Sequence, residues 1–241
     1  SGGMRQRLGI AQALLHDPQI LIVDDSEINR DMLAEMLGGG MITDGDDIRR
    51  YGKRIYDESN RLLNVINDII RLSEIEENHS EIFTETNLSA VAKEVAENLA
   101  EKAKRLEIDL SVSGSDVTVQ ANGGYIYEMI YNLTENAVKY NRPGGKVLVD
   151  VSRAGDKAVI TVADNGIGIP KEHQGRIFER FYRVDKSHSK QTGGTGLGLS
   201  IVKHIAALHH GSISVESEDG KGTVFTVMLP MTQQTAMAPV Q

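Results

Sequence analysis

The chain has 241 residues, 40% of them hydrophobic and 25% charged, and a formal net charge of -8. That length allows one large domain, or a medium domain with a helical attachment, and the acidic balance argues against nucleic acid as the main partner. Cysteine is absent, which excludes disulfides and thiolate metal sites; the longest apolar run, at residues 20–23, is far too short to span a bilayer and no signal peptide is visible, so a soluble, cytoplasmic chain is expected.

Residues 1–37 read as helix, strand, helix. Leu8, Ala11, Leu14 and Leu15 make a helical stripe that Asp17 and Pro18 close. A short apolar strand follows and ends at Asp24 and Asp25; Ser26 then caps a second helix faced by Ile28, Met32, Leu33 and Met36. Gly38, Gly39 and Gly40 break the chain. A long helix is expected over residues 46–76, where Ile48, Ile55, Leu62 and Ile69 recur every seven positions, joined by Tyr51, Val65, Ile66 and Leu72. That repeat suits a helical hairpin or dimeric bundle; the alternative is an amphipathic helix lying on its own domain.

From residue 87 to 230 helices and strands alternate. Helices are expected over 88–106, 125–140 and 197–208. Strands are expected at 108–112 and 117–120 around a Gly-Ser-Asp turn, and as pairs at 146–152 with 158–163 and at 212–216 with 223–229. Strands joined by hairpins with helices on one side predict an α+β two-layer sandwich rather than a doubly wound parallel sheet. The tail from Met231 is expected to be disordered.

Three segments carry the chemistry. Asn132 and Asn136 stand four apart on a helix, so both amides point the same way. Magnesium takes oxygen ligands and fills its shell from phosphates and water, so neutral amide oxygens suit a metal that already sits on a triphosphate. Glu135 is placed to orient a metal-bound water, Lys139 to reach a phosphate, and Tyr140 to lie against adenine. Solvated asparagines on an amphipathic helix are the plainer alternative. Asp164 ends an apolar strand, where a carboxylate can accept a hydrogen bond from the exocyclic amine of adenine; Gly166 and Gly168 let the chain turn sharply beside it. Taken alone, Asp-Asn-Gly is a common turn. Gly194, Thr195, Gly196, Leu197 and Gly198 open a helix whose exposed N–H groups favour phosphate. No Lys-Ser or Lys-Thr follows the last glycine, so this is not a Walker loop. Residues 171–191 read as a mobile lid. Within it Arg180 and Arg183 are placed to neutralise charge on the γ-phosphate, and Phe178 and Phe181 either anchor the lid or fill the core.

Together these segments resemble the asparagine box, the two glycine boxes and the phenylalanine box of the ATP-binding catalytic domain of sensor histidine kinases, in the wider group that includes gyrase and heat-shock chaperone ATPases. The resemblance covers roughly residues 44–230. It implies that Asn132, Asn136, Lys139 and Tyr140 contact magnesium and nucleotide, that Asp164 binds adenine, that Arg183 meets the terminal phosphate, and that residues 194–199 form the phosphate-side loop. It also implies that the long helix is the second helix of a dimerisation hairpin, that the chain is a homodimer, and that a response regulator is a possible partner. The phenylalanine box and short lid oppose the gyrase and chaperone types.

The usual acceptor motif, His-Glu-x-x-Thr-Pro, is absent, and His16 is the only histidine before the long helix. In its place, residues 1–24 resemble the signature helix and following strand of a transporter ATPase, and residues 20–30 the start of a response-regulator receiver domain. The expectation is a kinase core impaired in cis, with a non-catalytic ATP-binding chimera as the alternative.

Overall fold

The computed structural model of the protein describes residues 45–77, 82–184 and 194–232. The expected elements at 1–37 lie outside them, with both resemblances read there, as do residues 185–191 of the expected lid, the two residues after it, and residues 233–241 of the tail. The chain divides into two compact units, residues 1–66 and 67–241. Helix α1, Gly45–Glu77, runs across that division. The described part of the first unit is the body of α1, where Tyr56, Leu63 and Ile66 are exposed. The side chains of Ile48, Tyr51 and Ile55 lie outside the described ones.

The second unit starts within α1. Here Leu72 and Ile75 enter the hydrophobic core and Ile69 packs against it. The last turns of the stripe therefore serve the helix's own domain, because the same three-to-four spacing buries a surface helix as readily as it zips a bundle.

After α1 come β1 (Thr84–Asn87), α2 (Leu88–Arg105), β2 (Asp109–Gly114), β3 (Thr118–Ala121) and α3 (Gly123–Lys139). Then follow β4 (Lys146–Ala154), β5 (Lys157–Asp164), the single turn α4 (Lys171–Gln174), α5 (Gly198–Leu208), β6 (Ser212–Glu218) and β7 (Gly222–Pro230). Five strands form one sheet in the order β2-β4-β5-β7-β6, and β1 pairs with β3 in a separate two-stranded sheet. Alternate residues of the large sheet turn to one side: Val147, Val149 and Val151, Ala158, Ile160 and Val162, and Phe225, Val227 and Leu229 are all buried, whereas Leu148 and Met228 are exposed. Helices α2, α3 and α5 close that side, giving the expected α+β two-layer sandwich.

The strands 108–112 and 117–120 are expected to flank one turn, yet they do not pair with each other. Strand β2 runs parallel to β4, and β3 joins β1. Gly114 makes the separation possible: its φ is +110°, and a Cβ there would lie 1.9 Å from the Val151 carbonyl oxygen. The chain thus grazes β4 and leaves, with Ser115 N–H donating to Val151 at 2.8 Å. Met231 also departs from expectation. Its N–H donates to Asp156 O at 3.0 Å and its carbonyl accepts from Gln120 N–H at 3.3 Å, so ordered chain continues past β7.

Helix α3 carries most of the candidate site and is fixed at its start. Asn122 caps it, accepting from Tyr125 N–H at 3.1 Å, while its own N–H donates to Nε2 of the fully buried His209 at 3.1 Å. Nδ1 of the same ring donates to Ile205 O at 2.8 Å, so each ring nitrogen has a distinct role. Ile126, Ile130, Leu133 and Ala137 bury one face, leaving Asn132, Glu135, Asn136 and Lys139 half-exposed on another. Replacing Leu133 with alanine is expected to destabilise the domain by about 3 kcal/mol, since a fully buried leucine leaves a cavity. The drop in the urea midpoint at constant slope measures it.

Candidate functional site

The end of β5 forms the floor of the site. Asp164 pairs in register with Val147 on one side and Thr223 on the other. Its Oδ1 accepts from Gly166 N–H at 2.8 Å. Burial pushes the carboxyl above the usual aspartate range, and hydrogen bonds from the Gly166 and Thr223 backbone pull partly against it. A half-buried carboxylate with backbone donors on one side has acceptor capacity left for a ligand amine. Gly166 is needed here: a Cβ would stand 2.4 Å from Tyr140 O and 2.9 Å from Asp164 Oδ1. At Gly168, with φ +72°, a Cβ would strike Glu218 O at 2.1 Å.

Helix α3 supplies one wall. Asn132 donates through Nδ2 to Glu128 O at 3.0 Å, which turns its Oδ1 toward the start of α5; a Cβ on Gly198 would lie 2.9 Å from that oxygen. One and two turns further on come Asn136 and Lys139, both partly buried. The Lys139 Nζ stands over the Tyr140 ring, 5.2 Å from its centroid. Burial lowers the Lys139 pKa; the Glu135 carboxylate opposes this, and Arg183 and Lys102 push further down. An anion placed beside this ammonium would offset both burial and cationic crowding.

The glycine loop closes the arrangement. Arg183 Nη1 donates to Gly194 O. A Cβ on Gly194 would fall 2.7 Å from Lys139 Nζ, 3.6 Å from the Tyr140 hydroxyl and 3.8 Å from Arg183 Nη2, so three expected site residues converge on one backbone position. Thr195 Oγ1 accepts from Leu197 N–H at 3.2 Å and donates to Asp68 Oδ2 at 2.6 Å. Gly196, at φ +78°, packs against the backbone of Phe181 and accepts its N–H at 2.9 Å. Leu197 is buried and anchors the loop, and α5 begins at Gly198.

Residues 121–233 match the model of the histidine kinase-, DNA gyrase B- and HSP90-like ATPases. The catalytic domain of histidine kinase ThkA is 31% identical and superposes with a TM-score of 0.56, covering 62% of this chain and 96% of that one. The chain belongs to this family. Among curated proteins, the circadian input-output histidine kinase CikA of Synechococcus elongatus is 39% identical over 198 residues, 80% of this chain and 26% of CikA. ThkA in complex with the response regulator TrrA is 25% identical with a TM-score of 0.65, covering 95% of this chain and 64% of that one. The chain spans less than half the length of the first curated relatives that it matches.

In this histidine kinase core the expected residues separate into two groups. Asn132, Lys139, Tyr140 and Arg183, with the loop residues Gly194, Gly196, Leu197 and Gly198, form the wall and loop just described. Arg180 does not join them: it pairs with Glu76 near the end of α1, whose Oε1 also stands 2.9 Å from His204 Nε2. Two residues that follow Glu179 by one and four positions on a looping segment need not face the same way. Glu135 is held by Lys102, Nζ to Oε1 2.6 Å, rather than standing open to a metal-bound water. Phe178 meets Phe225 edge-on at 6.3 Å against the core, whereas Phe181 is 54% exposed with φ +62°. One of the two anchors and the other does not.

The kinase core also uses residues outside the motifs. Arg142 donates to the carbonyls of Asn165, Gly166 and Gly220, at 3.3, 2.9 and 2.6 Å, and so ties down the turn after Asp164. Asp68, raised above the usual aspartate range by burial, anchors Thr195. Arg71 bonds Glu128 at 2.8 Å and lies over Tyr125. Their sequence neighbourhoods contain no signal, because each partner lies far along the chain. Among the described residues no cluster of three or more His, Cys, Asp or Glu side chains is disposed to hold a metal, and no helix is long and apolar enough to cross a membrane.

Proposed function

We propose that this histidine kinase core binds Mg-ATP between α3 and the glycine loop and transfers its γ-phosphate to a histidine. The observation that carries the reading is the convergence of Lys139, Tyr140 and Arg183 on Gly194, together with the half-buried Asp164, whose neighbour Gly166 abuts the Tyr140 carbonyl. Asp164 accepts the adenine amine, and Tyr140 lies along the ring. Lys139 and Arg183 neutralise phosphate oxygens, which their shared desolvated setting makes favourable. Backbone N–H groups at the start of α5 add to that field. Asn132 and Asn136 present neutral amide oxygens, and a hard cation accepts these when the phosphates bring the charge. Magnesium when bound draws charge from the phosphate oxygens. The protein's own task is to position the triphosphate and shield it from water.

The domain assignment belongs to the same proposal: residues 86–230 as the ATP-binding domain and 44–80 as the second helix of a dimerisation hairpin. Exposed Tyr56, Leu63 and Ile66, at seven- and three-residue spacing, support pairing of that helix in a homodimer. The complex of ThkA with TrrA supports a response regulator as partner. The missing His-Glu-x-x-Thr-Pro motif supports loss of the acceptor in cis with the transfer machinery kept.

Incubation with γ-labelled ATP tests this. The expected outcome is ATP binding with little label on the chain itself, and base-stable, acid-labile label on a separate dimerisation hairpin added in trans. Binding without transfer to any hairpin supplied would favour the non-catalytic module. Absence of binding would sink both.

A further inference from the structure

Lys102 lies outside every motif, in the last turn of α2, and still reaches the site helix. Its Nζ stands 2.6 Å from Glu135 Oε1, both side chains about one third exposed. Glu135 precedes Lys139 by four residues on α3, the spacing and the order in which a glutamate and a lysine pair along a helix. Yet among the described residues no hydrogen bond or ion pair joins those two. The Lys139 ammonium instead lies over the Tyr140 ring and beside Gly194. Glu135 acts on it only through space, helping to keep it protonated against burial. A carboxylate free to swing would compete with phosphate for that ammonium.

We infer that Lys102 is a positioning residue: by holding Glu135 it keeps the carboxylate off Lys139 and leaves Lys139 aimed at the phosphates of an adenosine polyphosphate. This rests on the nucleotide reading of the site. It differs from a plain surface ion pair, which would touch stability slightly and affinity not at all. It differs also from direct contact between Lys102 and phosphate, because that contact would be lost whatever Glu135 does.

Calorimetric titration of the full chain with Mg-ADP and with adenosine separates these cases. Lys102→Met is expected to weaken Mg-ADP binding by about two- to fivefold, the scale of one partly exposed ion pair set against phosphate. Adenosine affinity should not change. The double variant Lys102→Met with Glu135→Gln should return to the parent value, and Glu135→Gln alone should bind at least as tightly as the parent. Thermal melts of each variant confirm that folding is kept. An unchanged affinity in Lys102→Met would overturn the inference in favour of a surface pair. A double variant as weak as the single one would overturn it in favour of direct phosphate contact. If the unaltered protein binds neither ligand, the nucleotide reading fails first.

Discussion

Changing Asp164 to asparagine is expected to lower ATP affinity by about a hundredfold, the cost of losing a charge-assisted bond in a desolvated site. The amide oxygen can keep the Gly166 N–H that Asp164 Oδ1 now accepts at 2.8 Å. That leaves the amide nitrogen, a donor, facing the adenine amine. Guanine carries a carbonyl at that ring position, so the preference for ATP over GTP should collapse along with the affinity. A calorimetric titration with each nucleotide reads both effects, and retained selectivity would remove Asp164 from the base site.

The same carboxyl carries a pH signature. Burial raises its folded pKa above the ordinary aspartate value. Only the ionised form accepts the adenine amine fully, so ATP affinity should fall on acidification earlier than an ordinary aspartate would dictate. Stability runs the other way. The folded state holds the proton more tightly than the unfolded one, so this group's contribution is full below the unfolded pKa. It is lost as pH rises through the folded value. In Asp164→Asn both dependences should flatten.

Asn136→Asp is the second large effect. Asn136 follows Asn132 by one turn and precedes Lys139 by nearly another on α3, and the side chains of those two neighbours reach the glycine loop. A carboxylate there can still ligate magnesium, but it sets a full negative charge beside the triphosphate and competes for Lys139. At the effective dielectric of a partly buried site, such repulsion is worth about 1–3 kcal/mol. Mg-ATP affinity should drop by one to two orders of magnitude, on the order of that energy, while adenosine binding stays as it was. Equal Mg-ATP affinity in calorimetry would count against the assigned pocket.

Much of this was legible because local pattern and tertiary role coincide. Ile126, Ile130, Leu133 and Ala137 announce one buried face of α3, and the polar Asn132, Glu135, Asn136 and Lys139 stay partly exposed on another. The β4–β5 pair could be read from alternating apolar residues around Gly155, whose φ is +65°. Strand β1 could not: its four residues are Thr-Glu-Thr-Asn, only Thr86 is buried, and its partner lies across α2 and β2. The parallel pairing of β2 with β4 was hidden for the same reason, since α3 intervenes. In the site, glycine loop and amides were visible as motifs. Lys102, Asp68 and Arg142 were not, because their partners lie 33, 127 and up to 78 residues away. Arg180 looked like its neighbour Arg183 and went to Glu76, which no spacing rule foretells.

The bonds of Met231 have a practical consequence. Its N–H clasps the β4–β5 turn at Asp156 and its carbonyl the small sheet at Gln120, so a single residue bridges two sheets that share no strand. Affinity tags and reporter fusions belong after residue 232. A cut placed before Met231 would remove both of these bonds.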